Sequence, residues 1–239
     1  MKRTYLSFLL LLLVVLPGTA QHPGVAREQR PTHAPSAKRH SPSADKIWAD
    51  LMEGNKRFVA GRPEAPDLVK LRGRLAKGQQ PKVVVLACSD SRVPPELLFD
   101  KGLGDLFVVR SAGNIADVIG VGSIEYAVEH LGSSVLVVLG HTGCGAVTAA
   151  CSGDKMPTVG LQAIVDKITP AVLQSRKAGL KGDALVEATI KENVHQSAKE
   201  VLASSELLRH FVEDGKLTVF EAEYQLDTGE VIRLDMVHQ

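Results

Sequence analysis

Cysteine is scarce in this chain. Cys88, Cys144 and Cys151 are the only three among 239 residues. So sparse and odd a set does not read as a disulfide framework. No Cys-x-x-Cys spacing occurs, which argues against a thiol redox protein. An excess of one charge is lacking too. The formal net charge is +1, so nothing in the balance points to nucleic acid or to a lipid surface. Beyond the N-terminus no segment approaches the roughly 18 continuous apolar residues of a membrane-spanning helix. Internal repeats are absent. The composition is that of a globular domain, with 44% apolar and 23% charged residues.

The first 20 residues read as a secretory signal peptide. Lys2 and Arg3 precede an apolar core, Leu6–Leu16, and Gly18-Thr-Ala20 offers small residues for cleavage. The apolar run is too short for a transmembrane anchor, and no cysteine follows it to take a lipid. Gln21–Ser43 is rich in Pro, Ser, Ala, His and Arg. It has too little apolar surface to offset chain ordering, so a disordered linker is expected. The folded domain is then 44–239, and the protein is placed in the periplasm or secreted.

Within that domain two runs stand out. Val83–Leu86 and Val135–Gly140 are continuous aliphatic stretches without polar alternation, the pattern of strands buried on both faces of a parallel sheet. Asp105–Arg110 reads as a third strand. Helical spacing predicts helices over Asp45–Gly61 (capped by Asp45), Asp67–Lys77, Asn114–Leu131, Ala146–Cys151, Leu161–Ala178, Asp183–Ala203 and Glu206–Asp214. Pro94-Pro95 opens a short helix through Phe99. Leu217–Leu226 and Glu230–Met236 read as a closing hairpin turning at Asp227-Thr-Gly229. The alternation of strand and helix predicts an α/β fold: a mostly parallel sheet flanked by helices, with an antiparallel C-terminal edge.

Both buried strands run straight into soft metal ligands. Cys88 follows the first, and His141 and Cys144 follow the second. The carboxyl edge of an open α/β sheet is where ligands bind. Zinc takes thiolate and imidazole in tetrahedral array, and a Cys₂His set leaves one position open, as a catalytic site requires. Gly143 and Gly145 let the His-x-x-Cys turn bend tightly. Asp90 either fills the fourth position or pairs with Arg92 in a bidentate contact. In the second case it accepts a hydrogen bond from hydroxide on the metal. Taken singly, Cys88 and Cys144 read as small buried hydrophobes and Asp90–Arg92 as a surface ion pair. Their joint occurrence at two matched strand ends favours one zinc per chain. In an oxidising compartment that zinc would also protect the thiols. Cys151, seven residues past Cys144, reads as a core thiol.

A-C-S-D-S-R (Ala87–Arg92) with H-T-G-C-G (His141–Gly145) resembles the two signature motifs of the β-class carbonic anhydrases. G-N-x-R-F (Gly54–Phe58), G-D-L-F-V-V-R-x-A-G-N (Gly104–Asn114), S-I-E-Y-A-V (Ser123–Val128) and Y-x-L-x-T-G-x-V (Tyr224–Val231) extend the likeness from about Ala44 to the C-terminus. The resemblance implies the β-carbonic anhydrase fold and zinc-dependent, reversible hydration of carbon dioxide to bicarbonate and a proton. It implies Cys88, His141 and Cys144 as permanent ligands and Asp90 as the exchangeable fourth. Arg92 would be the partner of Asp90, and the Gly145 amide a donor to the bound anion. Two thiolates leave the metal's water less acidic than the ~7 found with three histidines, so activity is expected to rise toward alkaline pH. A bacterial, exported member of the family is the leading reading. The resemblance also implies a homodimer or homotetramer, with the Asp45–Gly61 helix as an arm around the neighbour, since its apolar face shows no use in a monomer. The rivals are a carbon disulfide or carbonyl sulfide hydrolase on the same scaffold and a non-catalytic zinc-binding protein. Ser111 departs from the asparagine or valine often found there. Bicarbonate regulation through an arm tryptophan is not expected, because Phe58 stands in that neighbourhood and Trp48 lies earlier.

Overall fold

A computed structural model of the chain describes residues 43–234. The expected signal peptide, the expected linker up to residue 42 and the far end of the expected closing hairpin lie outside the described residues.

Valine and leucine dominate β1 (Val83–Cys88) and β3 (Val135–His141), and every residue of both strands is buried. These are the central strands. The sheet order is β2-β1-β3-β4-β5, with β2 Leu106–Ser111, β4 Thr218–Tyr224 and β5 Val231–Arg233. β1 pairs with β2 and β3, and β3 with β4, all parallel, while β5 runs antiparallel to β4. Side chains alternate across the sheet. Val83, Val85, Ala87, Val137, Leu139, Phe220 and Ala222 share one core with Ile47 and Leu51 of α1 (Ala44–Val59). Val84, Leu86, Leu136 and Val138 share the other with α4 (Val118–Leu131), α7 (Gly182–Ser204) and α8 (Glu206–Glu213). The remaining helices are α2 (Leu68–Leu75), α3 (Pro95–Leu98), α5 (Gly145–Ser152) and α6 (Val159–Arg176). No helix among the described residues is long and apolar enough to cross a membrane.

Three sequence expectations change. Asp45 does not cap α1; Ser43 holds the N-cap position and Asp45 lies in the first turn. α4 begins at Val118 rather than Asn114, because Gly113 and Asn114 turn the chain with φ of 73° and 47°. Asp117 then caps it, its carboxylate accepting from the amides of Ile119 and Gly120 at 3.1 and 2.8 Å. Third, the apolar face of α1 is used within its own chain. Leu51 is buried, and the Trp48 ring lies 5.0 Å from that of Phe220. That face therefore has a use within its own chain.

The order of the strands positions the site. The chain leaves β1 toward β2 on one side, and leaves β3 toward β4 on the other. The crevice between the carboxyl ends of β1 and β3 is thus a topological switch point, where open α/β sheets bind ligands.

Candidate metal centre

Cys88 is the last residue of β1 and His141 the last of β3. Cys144 follows after a turn in which Gly143 adopts φ 63°, a conformation that suits glycine. The turn is pinned to the β4 side: the Thr142 amide donates to the Tyr224 carbonyl, and Thr142 Oγ1 accepts from the Leu226 amide, both at 3.0 Å. One ligand atom each from Cys88, His141 and Cys144 lies within 4.8 Å of the others, and all three residues are buried.

The chemistry of this cluster fits a zinc ion. A carbonyl only accepts, so the 2.9 Å contact of His141 Nδ1 with the Thr142 carbonyl makes Nδ1 the protonated nitrogen. His141 Nε2 then carries the lone pair, and it is buried without a hydrogen-bond partner. A buried orphan of that kind is costly, and a metal removes the cost while the second hydrogen bond fixes the ring. The sulfurs point the same way. The adjoining Cys144 thiol favours the Cys88 thiolate and, against burial, brings Cys88 down to about 4. The same pairing, and then burial, push the Cys144 thiol up, against the first-turn amides of Val147 and Ala146. Two neighbouring thiols thus share one negative charge; both ionise when a cation stands between them. Burial opposes a charged His141, but the Cys88 sulfur beside it raises its pKa overall. The pocket favours positive charge.

Asp90 stands outside this cluster and is held by Arg92. Arg92 Nε donates to Oδ1 at 2.9 Å, Nη2 to Oδ2 at 2.7 Å, and the Arg92 amide to Oδ1 at 3.0 Å. Arg92 keeps the Asp90 carboxyl well below the usual carboxylate range, with burial as the opposing influence. Its Oδ2 lies 4.0 Å from His141 Nε2. Gly145 opens α5, where first-turn amides have no helical acceptor. Cys151 is half-buried on α5 and packs at the edge of the core that holds Cys88 and Cys144, its thiol donating to Thr189 Oγ1 at 3.5 Å.

Two residues escaped the sequence reading. Arg110 donates to the Cys88 carbonyl at 3.1 Å and to the Asp90 carbonyl at 2.7 Å, bracing the loop from the neighbouring strand. Its signal was a cation at the end of a parallel strand. Asn193 of α7 donates to the Gly113 carbonyl at 2.8 Å, and the Gly113 amide donates to Cys88 Sγ at 3.3 Å. Its signal was a buried polar stripe, Thr189, Asn193 and Ser197, at four-residue spacing beside the apolar face.

Comparison with known proteins agrees with this geometry. The family model for carbonic anhydrase matches residues 83–231. Carbonic anhydrase 2 of Mycobacterium tuberculosis is 41% identical over 194 residues, 80% of this chain and 92% of the relative. The carbonic anhydrase of Mycolicibacterium smegmatis is 40% identical over 188 residues, covering 77% and 90%. Among solved structures, the β-carbonic anhydrase CcaA superposes with a TM-score of 0.65 at 28% identity, covering 80% of this chain and 89% of that one. One of two tetrameric β-carbonic anhydrases from Sordaria macrospora gives 0.63 at 25%, covering 80% and 92%. The chain belongs to the carbonic anhydrase family, in its β class.

Proposed function

We propose that this chain is an exported bacterial β-carbonic anhydrase that works as a homo-oligomer, with Cys88, His141 and Cys144 holding its zinc. The observation that carries the metal assignment is the buried cluster of two sulfurs and an unpartnered imidazole nitrogen beside the Asp90–Arg92 pair. Family membership carries the reaction, reversible hydration of carbon dioxide. Export rests on the N-terminal sequence, and assembly on the tetrameric relatives from Sordaria macrospora.

Bound zinc would supply a Lewis acid that lowers the pKa of water and so makes it nucleophilic. The chain's own residues do the rest. Arg92 fixes Asp90 in its ionised form, so its carboxylate accepts a hydrogen bond from the attacking water and orients it toward carbon. Arg110 holds the backbone of that loop still. The Gly145 amide donates to the oxygen that becomes anionic as bicarbonate forms. Burial of all three ligand residues keeps bulk water from competing for the site.

Stopped-flow carbon dioxide hydration on residues 21–239, with zinc quantified in the same sample, tests this reading. Fast hydration with one zinc per chain is expected, and Asp90→Asn should lose about 100-fold or more. Stoichiometric zinc without hydration at any pH would turn the reading to carbon disulfide or carbonyl sulfide. N-terminal sequencing of periplasmic protein checks export: a mature start near Gln21 supports it, and an intact Met1 in the cytoplasm opposes it.

A further inference from the structure

The ligand Cys88 is not held by its strand alone. Just past β2, Ala112–Asn114 forms a single 3-10 turn whose Gly113 amide points at Cys88 Sγ, 3.3 Å away. The turn is fastened on several sides. The Ser89 amide donates to the Ser111 carbonyl at 3.0 Å, and Ser111 Oγ donates to the Ile115 carbonyl. From α7, Asn193 Nδ2 reaches 80 positions back along the chain to the Gly113 carbonyl at 2.8 Å. A side chain on residue 113 is disfavoured: φ is 73°, and a Cβ there would press on Ile168 Cδ1 at 2.7 Å.

Asn193 is itself 1% exposed, and its Oδ1 has no hydrogen-bond partner. Helix α7 is otherwise held by an apolar stripe that includes Ile190, Val194 and Ala198. A leucine at 193 would remove the unpartnered Oδ1 and pack as well, but it would strand the Gly113 carbonyl. Packing therefore does not account for an amide there, whereas the Gly113 contact does.

We propose that Asn193 is a positioning residue for the metal site. It sets the Gly113 peptide so that its N–H donates to Cys88 Sγ, and through that bond it tunes the thiolate's hold on zinc. An N–H···S bond stabilises thiolate charge and fixes the sulfur's direction, and such outer contacts are worth about 10- to 100-fold in metal affinity. The proposal rests on Cys88 being a zinc ligand.

The test compares wild type with Asn193→Leu, the isosteric Asn193→Asp, and Thr189→Val, a control on the same buried stripe that does not touch the turn. Zinc affinity is read by competition with a chromophoric chelator. The thiolate-to-metal charge-transfer band is read after cobalt(II) substitution, and the melting temperature is taken on the metal-free chain. Both Asn193 variants should bind zinc about 10- to 100-fold more weakly and shift the cobalt band, while Thr189→Val does neither. If the Asn193 variants match Thr189→Val in affinity and leave the band in place, or if neither variant folds, Asn193 is structural and the proposal is overturned. A wild type that shows no thiolate–cobalt band would instead remove Cys88 as a ligand.

Discussion

Asp90 carries its charge because Arg92 holds both of its oxygens. The consequence for stability has a definite sign. A carboxyl whose folded pKa is depressed stabilises the fold above its unfolded value of about 3.9, and loses that contribution as pH falls through the folded value. Arg92→Gln should therefore melt below wild type at neutral pH, by a modest margin because Arg92 is 58% exposed. The gap should begin to narrow as the pH drops below about 4. Thermal melts of the two metal-free chains between pH 7 and pH 3 read this directly; a gap that stays constant would mean that the pair does not set Asp90's ionisation. The clustering of Cys88, His141 and Cys144 was legible at this scale, because each stands at or just past the end of an uninterrupted aliphatic run. Asn193 was not, because its partner Gly113 is 80 positions away and only the tertiary fold brings them together.

Between residue and fold, the motif Gly54–Phe58 shows what short sequence patterns encode. A Cβ at residue 54 would lie 1.8 Å from the Phe99 carbonyl oxygen, so glycine lets α1 press against the end of α3. Asn55 donates to the Leu98 and Gly229 carbonyls at 3.0 and 2.9 Å and accepts from the Val231 amide at 2.9 Å. Arg57 Nε meets Asp100 Oδ2 at 2.5 Å, and Asp100 sits at φ 47°. The motif thus ties α1 to the loop before β2 and to the β4–β5 turn. Gly54→Ala must move backbone, not a flexible side chain. It should cost at least the upper end of the roughly 1–3 kcal/mol typical of overpacking. Asn55→Ala strands buried backbone groups and should cost about 3 kcal/mol or more. Urea unfolding of both variants checks these values, and losses under about 1 kcal/mol would mean that α1 is not anchored here. Strand identities were readable because burial on both faces leaves a run of valines. The docking of α1 was not, because Leu51 and Trp48 pack against Phe99 and Phe220, far along the chain. The break before α4 was hidden for a similar reason: Asn114 takes a left-handed φ that its residue type permits but does not announce.

At the scale of the whole molecule, the question is what covers the exposed apolar surface. Of the α1 face that the sequence offered for assembly, Ile47 and Leu51 are buried in their own chain and Trp48, Met52 and Phe58 are partly so. More exposed apolar side chains lie elsewhere. Val118 and Ile119, adjacent in the first turn of α4, are 82% and 73% exposed, although Asp117 before them caps the helix and fixes their direction. Two neighbouring branched aliphatics on an ordered helix end mark an interaction surface more than a solvated one. Placed at the contact between copies of the proposed oligomer, each would contribute roughly 1.5–3 kcal/mol when fully covered. Replacing both with aspartate places two charges in an apolar contact without partners, and the desolvation cost exceeds anything the remaining contact recovers. Light scattering coupled to size exclusion should therefore show the wild type as a dimer or larger. Val118→Asp combined with Ile119→Asp should elute at a lower mass with an unchanged far-ultraviolet circular dichroism spectrum. A double variant that keeps the wild-type mass would move the interface away from α4, and a monomeric wild type would remove the oligomer altogether.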